Sequence, residues 1–279
     1  GCGDHSRNPH QDPLARTRSP AGGNHGELGR IDLNYISCYD CGTMNQVNKQ
    51  KCTYCLKKFP KSEITVDHVI ARSWYPADTP PVRKWKAPCC IECNRQKSAT
   101  EGKLLGLIAL CLDPENKGEK PIIDKIFRSI DPKLGQSAKD SMHRLNKKFA
   151  LLRQLKKMPS KHSPEVLPSF KENYDKGSRT GVLIPKGKLE ELIQSWVRGI
   201  HLIEIGNYID ENATIDVYQV SDEAAFEAFK DIMQYAQIIE KGDGVRVFIW
   251  HAVENDKFAA NYAFILYGKF KAYASVSSK

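Results

Sequence analysis

Six of the nine cysteines in this chain fall into three Cys-x-x-Cys pairs, Cys38/Cys41, Cys52/Cys55 and Cys90/Cys93, and eight of the nine lie before residue 94. Two thiolates at this spacing present their sulfurs to one tetrahedral ion, and two such pairs close a structural Zn²⁺ site. No secretory segment is apparent, so tight pairs of this kind are expected to be metal ligands rather than disulfides. Two closures compete on spacing alone. Cys38, Cys41, Cys52 and Cys55, with Gly42 after the first pair, fit a zinc ribbon; Cys52, Cys55, Cys90 and Cys93 form the other set. Cys38 and Cys41 are also candidates for a second ion with Cys2, His5, His10 or His25. Cys111 sits in an apolar helical run and reads as a buried thiol.

The charge is uneven. Residues 1–162 carry 29 Lys+Arg against 16 Asp+Glu, whereas residues 163–279 carry 13 against 17. A basic surplus confined to the cysteine-bearing part suits a polyanionic partner, with a solvated basic surface as the bland alternative. No stretch is apolar enough to span a bilayer, since the run Leu104–Leu112 stops at Asp113-Pro114. The expectation is a cytoplasmic protein without a membrane partner.

The hydrophobic pattern predicts an α+β chain. Residues 1–34, rich in Gly, Pro, Arg and His, read as a flexible leader, and 35–112 as the cysteine module. A basic helical extension follows at 113–162, then a polar linker at 163–184 and an α+β domain with an antiparallel sheet at 185–279. Helices are predicted over 95–112, 121–130, 136–157, 185–204 and 222–239. In the third, Leu145, Phe149, Leu152 and Leu155 form the apolar face. Strands are predicted at 64–66, 213–220, 245–253 and 258–275, the last broken near Gly268.

Between the second and third cysteine pairs stands Asp67-His68, at the end of the strand-like Ile64-Thr65-Val66. Asn94 follows Cys93 directly, and Lys97 lies three residues on. CxxC, an Asp-His pair, then CxxC-Asn with a nearby Lys resembles the HNH endonucleases of the ββα-metal type, over about 50 residues. The motifs Ser73-Trp74-Tyr75-Pro76, Lys84-Trp85 and Leu110-Cys-Leu-Asp-Pro114 extend the likeness to a bacterial subset of that family. So do Trp196-Val-Arg-Gly199 and the region of Gly268-Lys-Phe270.

The resemblance implies a zinc-stapled ββα module and DNA phosphodiester hydrolysis. It favours Cys52, Cys55, Cys90 and Cys93 as the structural Zn²⁺ ligands. His68 would be the general base, and Asp67 and Asn94 would hold a divalent ion. A neutral imidazole can take a proton from water near pH 7, and oxygen donors suit Mg²⁺ or Mn²⁺. Asn94 is also a candidate N-cap for a helix beginning at Arg95. Arg72, Arg95, Lys97, Lys147 and Lys148 are candidate phosphate contacts, to DNA first and RNA second. Glu101 is weighed as an extra metal ligand against a surface residue.

One departure stands out. The family carries a middle Asn that braces the His-bearing loop, and here that place holds Trp85. This keeps an alternative open, a catalytically inactive zinc-stapled module that binds nucleic acid or protein. Trp74, Tyr75 and Trp85 are candidates to stack on bases or sugars, with packing of the module the favoured expectation. The C-terminal domain is expected to bind a target or protein partner, or to form a homodimer.

Overall fold

The computed structural model describes residues 49–76, 85–157, 166–168, 180–219, 234, 236–241, 244–251, 258–268 and 270–279. The chain divides into Gly1–Asn45 and Gln46–Lys279, and every described residue lies in the second unit. The expected leader, Cys38, Cys41 and most of the predicted helix 222–239 fall outside the described residues.

The cysteine region begins with a short hairpin, β1 (Lys49–Lys51) against β2 (Lys58–Pro60). The knuckle between them is closed by Leu56 N–H to the Cys52 carbonyl and by Cys52 N–H to the Lys57 carbonyl. Leu56 takes a left-handed conformation, φ 64°, to make that turn, at a cost of about 1–2 kcal/mol for a residue with a Cβ. Next come β3 (Ile64–His68) and β4 (Lys86–Cys90), paired antiparallel with Asp67 opposite Ala87 and His68 opposite Lys86. The chain then turns directly into α1 (Ile91–Ala109).

Helix α1 starts four residues before the expected Arg95. Cys90 occupies the cap position, so Asn94 lies inside the first turn and does not cap it. Helix α2 (Lys120–Ile130) carries Pro121 in its first turn, where a missing N–H costs nothing. Helix α3 (Ala138–Leu152) is capped by Ser137, whose side chain accepts from the Asp140 N–H. It ends earlier than expected, because Leu155–Lys157 forms a strand, β5, paired with β7 (Thr180–Leu183). Strand β6 (Val166–Pro168) flanks β7 on the other side. The predicted apolar face of α3 is also revised. Leu151 is buried, its Cδ2 3.0 Å from where a Cβ on Gly106 of α1 would stand, while Phe149 and Leu152 are exposed.

Helix α4 (Lys186–Glu204) lies close to its predicted span. A five-stranded antiparallel sheet follows, in the order β8-β12-β11-β10-β9, with β8 at Ala213–Gln219, β9 at Gln237–Lys241, β10 at Val245–His251, β11 at Ala260–Leu266 and β12 at Phe270–Ser278. The end predicted for the helix 222–239 is therefore strand β9. The β11–β12 hairpin turns through Tyr267 and Gly268, both left-handed. His201 is fully buried on α4 and shares a 2.8 Å hydrogen bond with the Tyr262 hydroxyl.

One hydrophobic core runs through Trp74, Trp85, Leu104, Ile122, Leu151, Trp196, Phe264 and Phe270. Val69–Tyr75, Trp85 and Ala87, the middle helices, α4 and the sheet thus share a core, whereas Cys52, Cys89 and Cys90 form a separate cluster with Tyr54, Phe59 and Ile64 packed against it. Among the described residues, no helix is long and apolar enough to cross a membrane.

Candidate metal centre and the adjoining Asp-His strand

Cys52, Cys55, Cys90 and Cys93 converge, with their ligand atoms all within 4.8 Å of one another and Cys55 Sγ 4.0 Å from Cys90 Sγ. A tetrahedron with Zn–S bonds of about 2.3 Å has S···S edges of about 3.8 Å, so the four sulfurs suit one structural Zn²⁺. The electrostatics agree. Burial opposes ionisation of Cys52, but backbone N–H groups of Cys55, Cys90 and Tyr54 outweigh it and lower its pKa. Burial, followed by the neighbouring sulfurs, pushes the Cys93 thiol well up. A divalent ion would relieve that crowding by accepting the charge. The site draws one pair from the β1–β2 knuckle and the other from the β4–α1 junction, so it clamps both ends of the strand–strand–helix unit. Cys89 points elsewhere. Its sulfur is 3.5 Å from Thr65 Oγ1, and burial raises its pKa to about 11.

Strand alternation puts Thr65 and Asp67 on the same face of β3. Helix α1 lies along that face as three rungs. Asn94 Nδ2 donates to Thr65 Oγ1 at 3.2 Å. One turn on, Lys97 Nζ lies 2.8 Å from Asp67 Oδ2 and donates to the His68 carbonyl at 2.9 Å. One turn further, Glu101 Oε1 accepts from the Ala71 N–H at 3.2 Å and pairs with Lys97 at the same distance. The side chains of Lys97, Asp67 and Glu101 are only 3%, 9% and 2% exposed.

Two of these placements revise expectations. Lys97 does not present its ammonium to solvent, so it is unsuited to phosphate contact. Glu101 is neither a surface residue nor turned to the cysteine centre. Burial pushes its carboxyl up from the ordinary range, against the pull of Lys97 and the Trp196 indole.

Tyr54, from the cysteine knuckle, donates its hydroxyl to Asp67 Oδ2 at 2.6 Å. Burial and that carboxylate hold its own pKa far above the usual tyrosine range. Both contacts of Asp67 fall on Oδ2 and neither on Oδ1. The Lys97 ammonium offsets the Asp67 carboxylate charge. Among the described residues, the four cysteines form the group of three or more His, Cys, Asp and Glu suited to a metal.

The segment after His68 is gripped from a distance. The Val69 N–H donates to the Trp85 carbonyl at 2.9 Å, so the residue in place of the expected Asn braces the loop through its backbone. The buried Trp85 indole donates to Glu204 Oε1 at 2.6 Å. Gly199 on α4 lies so close to Val69 that a Cβ there would stand 2.5 Å from Val69 Cγ2. Trp74 meets Trp196 edge to face at 5.1 Å, and Trp196 Nε1 donates to Glu101 Oε1 at 3.0 Å. The Tyr267 hydroxyl donates to the Trp74 carbonyl. The scattered sequence motifs are thus the two sides of one interlock. Trp74, Tyr75 and Trp85 pack rather than protrude.

Arg72 and Arg95 are exposed, Arg95 beside Glu92. Lys148 is exposed on α3, and Lys147 Nζ reaches Ser129 Oγ at 3.4 Å. The sequence gives no sign of Tyr54 or Glu204, and it shows Trp196-Val-Arg-Gly199 as a motif without its contacts; all reach the Asp-His strand only through the fold. The Lys97–Glu101 pair, four residues apart on a helix, is a further signal visible in the sequence. Comparison with family models, curated proteins and solved structures returned no match.

Proposed function

We propose that this chain is a metal-dependent endonuclease of the HNH type, hydrolysing phosphodiester bonds in DNA. The observation that carries this reading is the β3–β4–α1 unit clamped by the four-cysteine group. Asp67-His68 ends its first strand and Asn94 lies in the first turn of its helix. In this reading His68 takes the proton from the attacking water. Asp67 and Asn94 hold a Mg²⁺ or Mn²⁺ ion, which would supply positive charge to the phosphoryl and leaving oxygens. Lys97 and Tyr54 fix the Asp67 carboxylate, and Lys97 also ties down the His68 carbonyl. Arg72 and Arg95 face solvent and suit the phosphates on either side. The structural Zn²⁺ takes no part in the chemistry.

A second reading is favoured by the Lys97–Asp67 pair, which already balances the carboxylate that a catalytic ion would need. It is a zinc-stapled module that binds nucleic acid or protein without cutting. Nicking of supercoiled plasmid with Mg²⁺, Mn²⁺ or EDTA separates the two. Metal-dependent nicking that falls by roughly 10²–10⁴ in His68→Ala supports the nuclease. Equal nicking by both proteins removes His68 from the mechanism. Retained DNA binding with no cleavage under any condition establishes the binding module.

A further inference from the structure

Helix α3 carries Met142, Leu145, Phe149 and Leu152 at 3-4-3 spacing, which aligns them along one side of the helix. This is the pattern of a helix seam, yet Met142 is 57% exposed, Phe149 50% and Leu152 42%. The helix is held to the core by a different residue, Leu151. Beside the stripe lies a groove of about 430 Å³, lined by Leu110, Phe127, Ile130, Leu151, Leu152 and Lys148 among others. Phe127 is also exposed. An apolar stripe running into an apolar groove is a surface built to be covered.

Charge says what covers it. Between Lys120 and Arg153 stand nine lysines and arginines against three aspartates. Of the three, Asp140 is already paired with Arg144. Lys148 and Lys133 line the groove itself, with Asp131 as its one acidic residue. A second copy of the chain would bring like charges together across the seam. Duplex DNA would satisfy the cations but would give Phe149, Met142 and Phe127 no apolar surface to meet. An anionic membrane is flat and does not fill a groove. An amphipathic helix with acidic flanks satisfies both the stripe and the charges.

We infer that the α2–α3 face is a docking site for an acidic amphipathic helix of a partner protein, whose apolar side chains enter the groove beside Phe149 and Leu152. Lys148 then flanks a protein ligand rather than contacting phosphate. The inference stands whether or not the chain cleaves DNA.

The test uses the full chain with zinc bound and a fluorescein-labelled helical peptide of about 16 residues, long enough to hold a helix once docked. The peptide carries Leu or Phe at i, i+3, i+7 and i+10 and Glu and Ala elsewhere. A scrambled peptide of equal composition is the control. Anisotropy should show saturable binding that weakens with salt. Phe149→Asp should weaken it at least about tenfold, and Lys148→Glu should also weaken it. Both positions are exposed, so far-UV dichroism and zinc content should match wild type. No saturable binding, equal binding of the scrambled peptide, or binding indifferent to Phe149→Asp overturns the inference. So does sedimentation as a dimer that Phe149→Asp dissociates, which assigns the face to a second copy. Loss of plasmid or anionic-vesicle binding in Phe149→Asp, without peptide binding by wild type, assigns it to those surfaces and also overturns it.

Discussion

Replacing Lys97 with Met tests the central ion cluster most directly. The methionine preserves most of the volume and removes the charge. It strips the ammonium from Asp67 Oδ2 at 2.8 Å, from Glu101 Oε1 at 3.2 Å and from the His68 carbonyl at 2.9 Å. Both carboxylates lie where water is nearly excluded. Breaking one side of a buried ion pair costs about 3–5 kcal/mol, a large share of the roughly 5–15 kcal/mol that holds a domain together. For a unit of this size each 1 kcal/mol lowers Tm by about 2–4 °C, so the loss should be roughly 6–20 °C.

The pH dependence has a definite sign. Burial raises the folded-state pKa of Glu101 even with Lys97 present, and removing Lys97 raises it further. A raised carboxyl favours the neutral form in the fold. Its contribution is present below the unfolded value of about 4.3 and is lost as pH rises through the folded value. The Lys97→Met deficit should therefore be largest near neutral pH and shrink toward pH 4. Differential scanning calorimetry from pH 4 to 8, with zinc content measured alongside, reads both quantities. A Tm loss under about 2 °C, or a loss that does not change with pH, would refute the cluster as described.

Two further outcomes follow from the same geometry. Cys90→Ser should lower bound zinc from one ion toward none and unfold the β3–β4–α1 unit, read by elemental analysis and by proteolysis of the β3–β4 segment; undiminished zinc would return the metal to another cysteine set. Gly199→Ala places a methyl 2.5 Å from Val69 Cγ2 and should cost about 1–3 kcal/mol by overpacking, read by urea unfolding, whereas Gly187→Ala, with open space around it, should not destabilise.

The sequence alone determined the parts whose cause is local. CxxC spacing set which sulfurs pair, because two residues is the span of a knuckle. Alternation marked β8, β10 and the β11–β12 hairpin, and 3.6-residue periodicity marked α1, α2 and α4. The four-cysteine closure follows once the two pairs are brought together.

What only the tertiary structure decided depends on which surfaces meet. Lys97 reads as a phosphate contact in sequence because a lysine near Asn94 carries no mark of burial; it is buried because α1 lies along β3 and puts Asp67 and Glu101 around it. Phe149 and Leu152 read as core because their spacing is that of a buried face. They are exposed because α3 turns Leu151 onto Gly106 of α1, and periodicity cannot tell a covered face from one awaiting a partner. Trp85 and the Trp196–Gly199 motif stand out in the sequence, but nothing local shows what they contact, and Glu204 has no local pattern at all. Their roles come from contacts across more than 100 positions of chain, such as Trp85 with Glu204, and such contacts exist only after the core has closed.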